Sequence, residues 1–430
     1  MNKHKFLLFA VMLIPLSLRA QLLVDCSGQN QSAYPSISAA LANAGSGATI
    51  LVNGTCNENV NLISVHDISV GAWFGQTANI SGGILMDRSS GIYLYGLNVT
   101  NAGGDGIVAS FSQAIVIDTC NSSGNAGYGL NAARTSDVIV AATGTFDNNS
   151  AGGIAAGGSS TIVLGAWAAP IDISNNGGPG VFASAALVGT VGQTIVNNNG
   201  SNGSFGGAGI VLLGGARAQW GAYLGPNSIQ ANWGGGVLAG EGSEASFFGY
   251  AGGPANVIQS NGPFGVQVGN GGQVTLFETA QVTDHVGPGL DVFGNGQVRI
   301  EGGNQILRNG TGGDPTSAGI RVDGNSEAYI RGGTVSQNNG PGILALVNSS
   351  TDFTGVTFSS NTGGVITCDS TATMISDLTR PNMSPPAGVN CKTPHALGNH
   401  KGAWRFTFKA PDVTPYKAMQ AKYKKIATKH

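Results

Sequence analysis

The chain has 430 residues, of which 41% are hydrophobic, 10% charged and 70 glycine. That much apolar content with so little charge excludes a disordered chain, and glycines without a three-residue period exclude collagen. The net charge of −2 hides an asymmetry: residues 21–391 hold eight arginines, no lysine and 21 acids, a balance of −13, whereas residues 392–430 hold nine basic residues and one acid, a balance of +8.

Residues 1–20 read as a signal peptide. Lys3 and Lys5 precede the apolar run "FLLFAVMLIPLSL" (6–18), and "LRA" ends at Ala20 as a cleavage site. The run is too short to span a bilayer, and no later segment is apolar for long enough. The expectation is a chain that is secreted, periplasmic or on the cell surface, with no transmembrane span after processing.

Residues 21–60 read as an N-terminal cap with the first strands. "YPSISAALANAG" (34–45) predicts a short amphipathic helix with Ile37, Ala40 and Leu41 on one face and Gly45 at its end. Five cysteines fit an oxidising compartment. Cys26 and Cys56 flank this first element, and Cys368 and Cys391 flank the last repeat. Two local disulfides with Cys120 left over is the expectation, although spacing does not fix connectivity. The spacings do not suit zinc.

Residues 61–375 repeat. A glycine followed by Ile, Val or Leu recurs at Gly106, Gly129, Gly153, Gly180, Gly209, Gly236, Gly265, Gly289, Gly319, Gly342 and Gly364, every 22 to 30 residues. A period of that size means a solenoid. In "GPGLDVFGNGQVRIEGGNQILRNG" (287–310) the period holds three short alternating pieces, "LDVF", "QVRI" and "NQIL". Each reads as a strand with one buried face, and glycine and asparagine between them suit turns that need positive φ. The predicted fold is all-β: a three-sided parallel β-helix of about 11–12 coils, capped at both ends.

An asparagine also follows three residues after an apolar residue in coil after coil: Phe146/Asn149, Ile173/Asn176, Ile195/Asn198, Ile229/Asn232, Ile258/Asn261, Ile306/Asn309, Val335/Asn338 and Phe358/Asn361. His285 takes the slot after Val282. Stacked amides hydrogen-bond from layer to layer, so this is a structural ladder or a row of amides that grips sugar hydroxyls. Residues 376–430 read as a basic cap or tail, with "WRFTF" (404–408) alternating like a strand and 414–426 patterned as a helix.

The "YPSISAALANAGSGATILVNGT" opening, followed by Gly-Ile/Val coils and asparagine turns, resembles the secreted right-handed parallel β-helix proteins of the pectate-lyase-like superfamily, over roughly residues 25–375. The resemblance implies right-handedness, and a site in the groove along the outer face of one sheet. The superfamily includes polysaccharide lyases, glycoside hydrolases, uronate epimerases, adhesins and phage tailspikes. In its lyases, acidic residues hold calcium, and an arginine or lysine removes a proton.

The residue after each Gly-apolar pair points outward: Leu85, Val108, Asn131, Ala155, Phe182, Val211, Leu238, Gln267, Asp291, Arg321, Leu344 and Ile366. That stripe is mostly apolar. Its polar members make Asp291 and Arg321, with Asp323 two residues on, the catalytic candidates. Gln267, Arg299, Tyr329 and His285 are the binding candidates. The competing reading is structural, because Asp291/Arg321, Glu301/Arg331 and Asp284/Arg308 occupy equal slots in neighbouring coils and predict salt-bridge ladders, as Arg299/Tyr329 predict a cation–π stack. Trp73, Trp167, Trp220 and Trp233 are sugar-stacking or packing residues.

Two carboxylates are few for calcium, so no cofactor is expected beyond the calcium that the resemblance brings. The superfamily's catalytic patterns (Asn-Thr-Asp, Asp-Asp, Gly-His-Gly, Tyr-Gly-Phe-Asp-Pro-His) are missing, which leaves catalysis of the lyase or glycoside-hydrolase kind undecided. Nothing points to nucleic acid. The functional expectation is an exported protein that binds or processes extracellular polysaccharide along the outer groove. The alternative is a non-catalytic, adhesin-like surface protein.

Overall fold

The computed structural model describes residues 20–376, apart from 166–167, 204–206 and 315–316. The leader up to Arg19, Trp167, Cys391 and the expected tail strand and helix lie outside the described residues.

Alternation builds each coil. Leu290, Val292, Val298, Ile300 and Ile306 point inward and are at most 3% exposed. They belong to the strands Leu290–Val292, Gln297–Glu301 and Gln305–Leu307. Fully burying one such side chain contributes roughly 1.5–3 kcal/mol, but one coil cannot enclose it alone. Each strand therefore pairs, in parallel, with its counterpart in the next coil, and the core is continuous along the stack.

Three walls result. Among the described residues the front wall has thirteen strands, from Val60–Ile63 to Ile366–Cys368. The second and third walls form, among the described residues, one 25-stranded sheet, because the long strands Thr49–Cys56, Ile115–Ser123 and Asp137–Thr145 turn the corner between them and pair on both sides. The solenoid has about 14 turns, more than the 11–12 expected. The missed turns lie at the start, where Asn59 precedes Val60 and no glycine landmark marks the coil.

The entrance is covered as expected, by a shorter helix, Ile37–Leu41. Ser36 caps it by accepting from the Ala39 amide at 3.1 Å, and the Glu58 carboxylate accepts from the Ile37 and Ser38 amides at 2.7 and 3.1 Å. Ile37 and Ala40 are fully buried. The Cys26–Cys56 disulfide is formed. Cys120 is a buried thiol, pushed up to about 12 chiefly by burial, so it is unreactive.

The ladder stands at the corner between the third and front walls. Asn199 Nδ2 donates to Asn232 Oδ1 at 3.0 Å and to the Ile173 carbonyl at 2.9 Å, and its backbone N–H donates to the same Oδ1 at 3.0 Å. The Ile195/Asn198 pair needs a one-residue correction: Val196 is the buried residue, so the ladder member is Asn199. Asn198 precedes it at φ 53, as Ala231, Ser260 and Arg308 precede their ladder residues at φ 52, 50 and 54. Apart from Gly364, at φ 85, the landmark glycines serve a different need from positive φ. A Cβ on Gly289 would lie 2.6 Å from Asn309 Nδ2 and 2.7 Å from the Gly319 carbonyl. The glycine leaves room for the amide that locks the corner.

Candidate functional site

Register places Gln267, Asp291, Arg321 and Leu344 in one outward column of the front wall. Gln267 Nε2 donates to Asp291 Oδ2 at 3.0 Å. Arg321 Nη2 donates to Asp323 Oδ2 at 2.8 Å, while its Nε lies 3.9 Å from Asp291 Oδ1, too far for a direct hydrogen bond. The Asp291 and Arg321 side chains are only 12% and 28% exposed. Asp291 Oδ1 and Arg321 Nε are buried atoms without a hydrogen-bond partner among the described residues. Leaving such groups unmet costs free energy, so these two atoms are the unfinished part of the cluster. The column ends at Thr367 rather than Ile366, because Leu344 pairs with Thr367.

The other binding candidates lie elsewhere. Arg299 and Tyr329 share a column on the second wall, with the guanidinium 5.6 Å from the ring centroid. The Glu301/Arg331 ladder does not form. Glu301 accepts from Arg299 Nε, two residues before it on the same strand, at 2.8 Å. Arg331 turns instead to Asp352, with two hydrogen bonds of 2.8 and 2.7 Å, and lies 4.1 Å over Tyr329. With two guanidiniums at 4.1 and 5.6 Å from its centroid, the Tyr329 ring is a poor platform for a sugar. The Asp284/Arg308 pair does form, at 2.7 and 2.8 Å.

His285 is corrected from binding residue to ladder residue. It is fully buried. Its Nδ1 accepts from the Asn261 amide at 3.1 Å, which fixes the proton on Nε2, 3.0 Å from the Ile258 carbonyl. Burial lowers its pKa to about 4. Of the tryptophans, Trp220 is core, packed on Phe247 with centroids 6.5 Å apart; Trp233 stands exposed at a corner. Asp352 escaped the sequence reading, although its slot in "STDFT" matches that of Tyr329.

A family model described as right handed beta helix region matches residues 82–219 and 208–378. The chain belongs to this right-handed β-helix family. No curated protein matches it. Among solved structures, it is similar to the A-module of the mannuronan C-5 epimerase AlgE6 of Azotobacter vinelandii, at 14% identity over 77% of this chain and 93% of that one, with a TM-score of 0.37. Tailspike protein 2 of bacteriophage CBA120 gives 12% identity over 77% of this chain and 48% of that one, with a TM-score of 0.38. The pectate lyase Pel9A gives 14%, 81% and 79%, with a TM-score of 0.34. No helix among the described residues is long and apolar enough to cross a membrane.

Proposed function

We propose that this chain binds extracellular polysaccharide on its front wall, at Gln267, Asp291, Arg321 and Asp323, and that the polymer is neutral. The carrying observation is the pair of unmet atoms, Asp291 Oδ1 and Arg321 Nε. Both atoms are shielded from water and 3.9 Å apart, so Arg321 has to swing outward before a sugar hydroxyl donates to the first and accepts from the second. Charge selects the ligand. One guanidinium between two carboxylates leaves the cluster negative, and residues 21–391 carry a balance of −13, so a polyuronate is repelled.

The same arrangement does not suit calcium, which takes six to eight oxygen ligands. Gln267 and Arg321 turn N–H donors toward Asp291 and Asp323. Glycoside hydrolysis needs one carboxyl as acid and another as base or nucleophile. Arg321 donates to Asp323 at 2.8 Å and stands 3.9 Å from Asp291, so one guanidinium engages both carboxyls, which supports binding over turnover. The Cys26–Cys56 disulfide supports an oxidising, extracytoplasmic setting.

The test is affinity electrophoresis and calorimetry against xylan, β-glucan, pectate and alginate and their short oligosaccharides, with calcium and with chelator. The expected result is binding to the short oligosaccharides of a neutral polymer, indifferent to chelator and at least tenfold weaker in Asp291→Ala. Binding confined to pectate or alginate, or dependent on calcium, overturns the reading.

A further inference from the structure

The third wall carries a second stack of asparagines, and this one faces water. Asn79, Asn98 and Asn121 fall in one outward column. Asn121 Nδ2 donates to Asn98 Oδ1 at 2.8 Å, Asn98 Nδ2 to Asn79 Oδ1 at 3.0 Å, and Asn79 Nδ2 to Thr55 Oγ1 at 3.2 Å. A primary amide has two N–H groups and two acceptor lone pairs. The Asn79–Asn98 stretch uses one of each per rung, so a donor and an acceptor remain at every step of about 4.8 Å. The stack holds these amides in fixed orientation before any ligand arrives, which lowers the entropy cost of binding. A parallel column of hydroxyls, Ser81, Thr100 and Ser123, runs beside it in register.

The rest of the wall continues the chemistry. Ser228, Gln230, Gln281 and Thr334 occupy outward positions of later coils, while Thr283 and Ser336, in the same register, are largely covered. Asp172 is the one charged side chain in the third-wall strands among the described residues. A wall this neutral, on a body with a balance of −13, suits a partner that is itself uncharged and offers hydroxyls at regular intervals. Its half-buried apolar members Ile195, Val257 and Leu307 alternate with Ser228, Gln281, Thr283 and Ser336, and do not gather into the apolar patch that a protein interface core needs.

We infer that the outer face of the third wall is a second contact surface, which takes a neutral, extended polysaccharide along the solenoid axis. Many weak hydrogen-bonding rungs on one rigid face act together on a polymer and barely hold a short fragment. This separates the surface from the front-wall site, where one cluster grips one sugar.

The experiment is co-sedimentation of the folded protein with microcrystalline cellulose and with insoluble xylan, alongside calorimetry with short oligosaccharides of each. The double variant Asn98→Ala/Asn121→Ala is expected to sediment at least tenfold less, with oligosaccharide binding unchanged. Asp291→Ala is expected to sediment as the wild type while its oligosaccharide binding falls. The single variant Asn121→Ala, at the exposed end of the stack, is expected to lose about threefold and serves if the double variant does not fold. Wild-type protein that sediments with neither polymer overturns the inference, as does a folded double variant that sediments normally. Oligosaccharide binding that ignores Asp291 overturns the front-wall reading alone.

Discussion

Two asparagine stacks run along this solenoid with the same side chain and the same rung, and their surroundings set them apart. In the corner stack, Asn199, Asn232 and Asn261 are at most 1% exposed, and each amide meets a backbone carbonyl, a backbone N–H and a neighbouring amide. On the third wall, Asn121 is exposed and meets only its neighbour amide. A buried amide must satisfy its whole hydrogen-bonding capacity within the protein, so the corner stack is structural. An amide in water keeps capacity to offer.

The sharpest way to break this comparison is Asn232→Ala. The change removes the acceptor of the Asn199 backbone N–H and the donor to the Val196 carbonyl. Each orphaned buried group costs about 1–3 kcal/mol, so a loss of roughly 3 kcal/mol or more is expected in urea unfolding. A loss below about 1 kcal/mol would make the corner as tolerant as the surface.

Next comes His285, the corner residue that is not an amide. Its pKa lies near 4 in the folded chain against 6.5 ordinarily, so the unfolded chain takes up a proton first as pH falls. Stability is therefore full above about pH 6.5, falls between 6.5 and 4, and is flat below, with a total loss on the order of 3 kcal/mol. His285→Asn is expected to remove this dependence; denaturant midpoints measured from pH 7 to pH 4 decide it.

Smaller effects belong to the outside. Arg308→Ala breaks the Asp284 pair, whose arginine side chain is 47% exposed, and about 0–1 kcal/mol is expected, shrinking in salt. Asn98→Ala on the third wall is expected to change stability by no more than about 0.5 kcal/mol. A cost equal to that of Asn232→Ala would give the outer stack a structural role and remove its contrast with the corner.

The three-strand period, the parallel walls and the corner ladder were all legible in the sequence, because alternation and the Gly-apolar landmark repeat with the coil. The errors were local. In "TIVNNNG" both Ile195 and Val196 can be the inward residue, and only packing of the neighbouring coils decides for Val196. Glu301 and Arg331 share a column, so equal slots suggested a pair. Side chains also reach along a strand and diagonally, however, and Arg299 and Asp352 were better placed. The outward stack went unread because Asn79 belongs to the coil without a glycine landmark, and Asn121 sits on a corner-turning strand that merges two of the three short pieces. The distinction between a cluster that lacks a partner and one that is complete needs distances, and no spacing carries it.

His285 has a consequence for how the molecule comes apart. A stack whose coils touch only their neighbours behaves as a one-dimensional chain of coupled units. The amide relay is broken at His285: Asn261 Nδ2 donates to the Ile229 carbonyl, and only the backbone of His285 reaches Asn309. A proton on Nδ1 would point at the Asn261 N–H and turn that break into a repulsion. Below about pH 4 the solenoid should then melt as two cooperative blocks, with the boundary at this coil, where at neutral pH it melts as one.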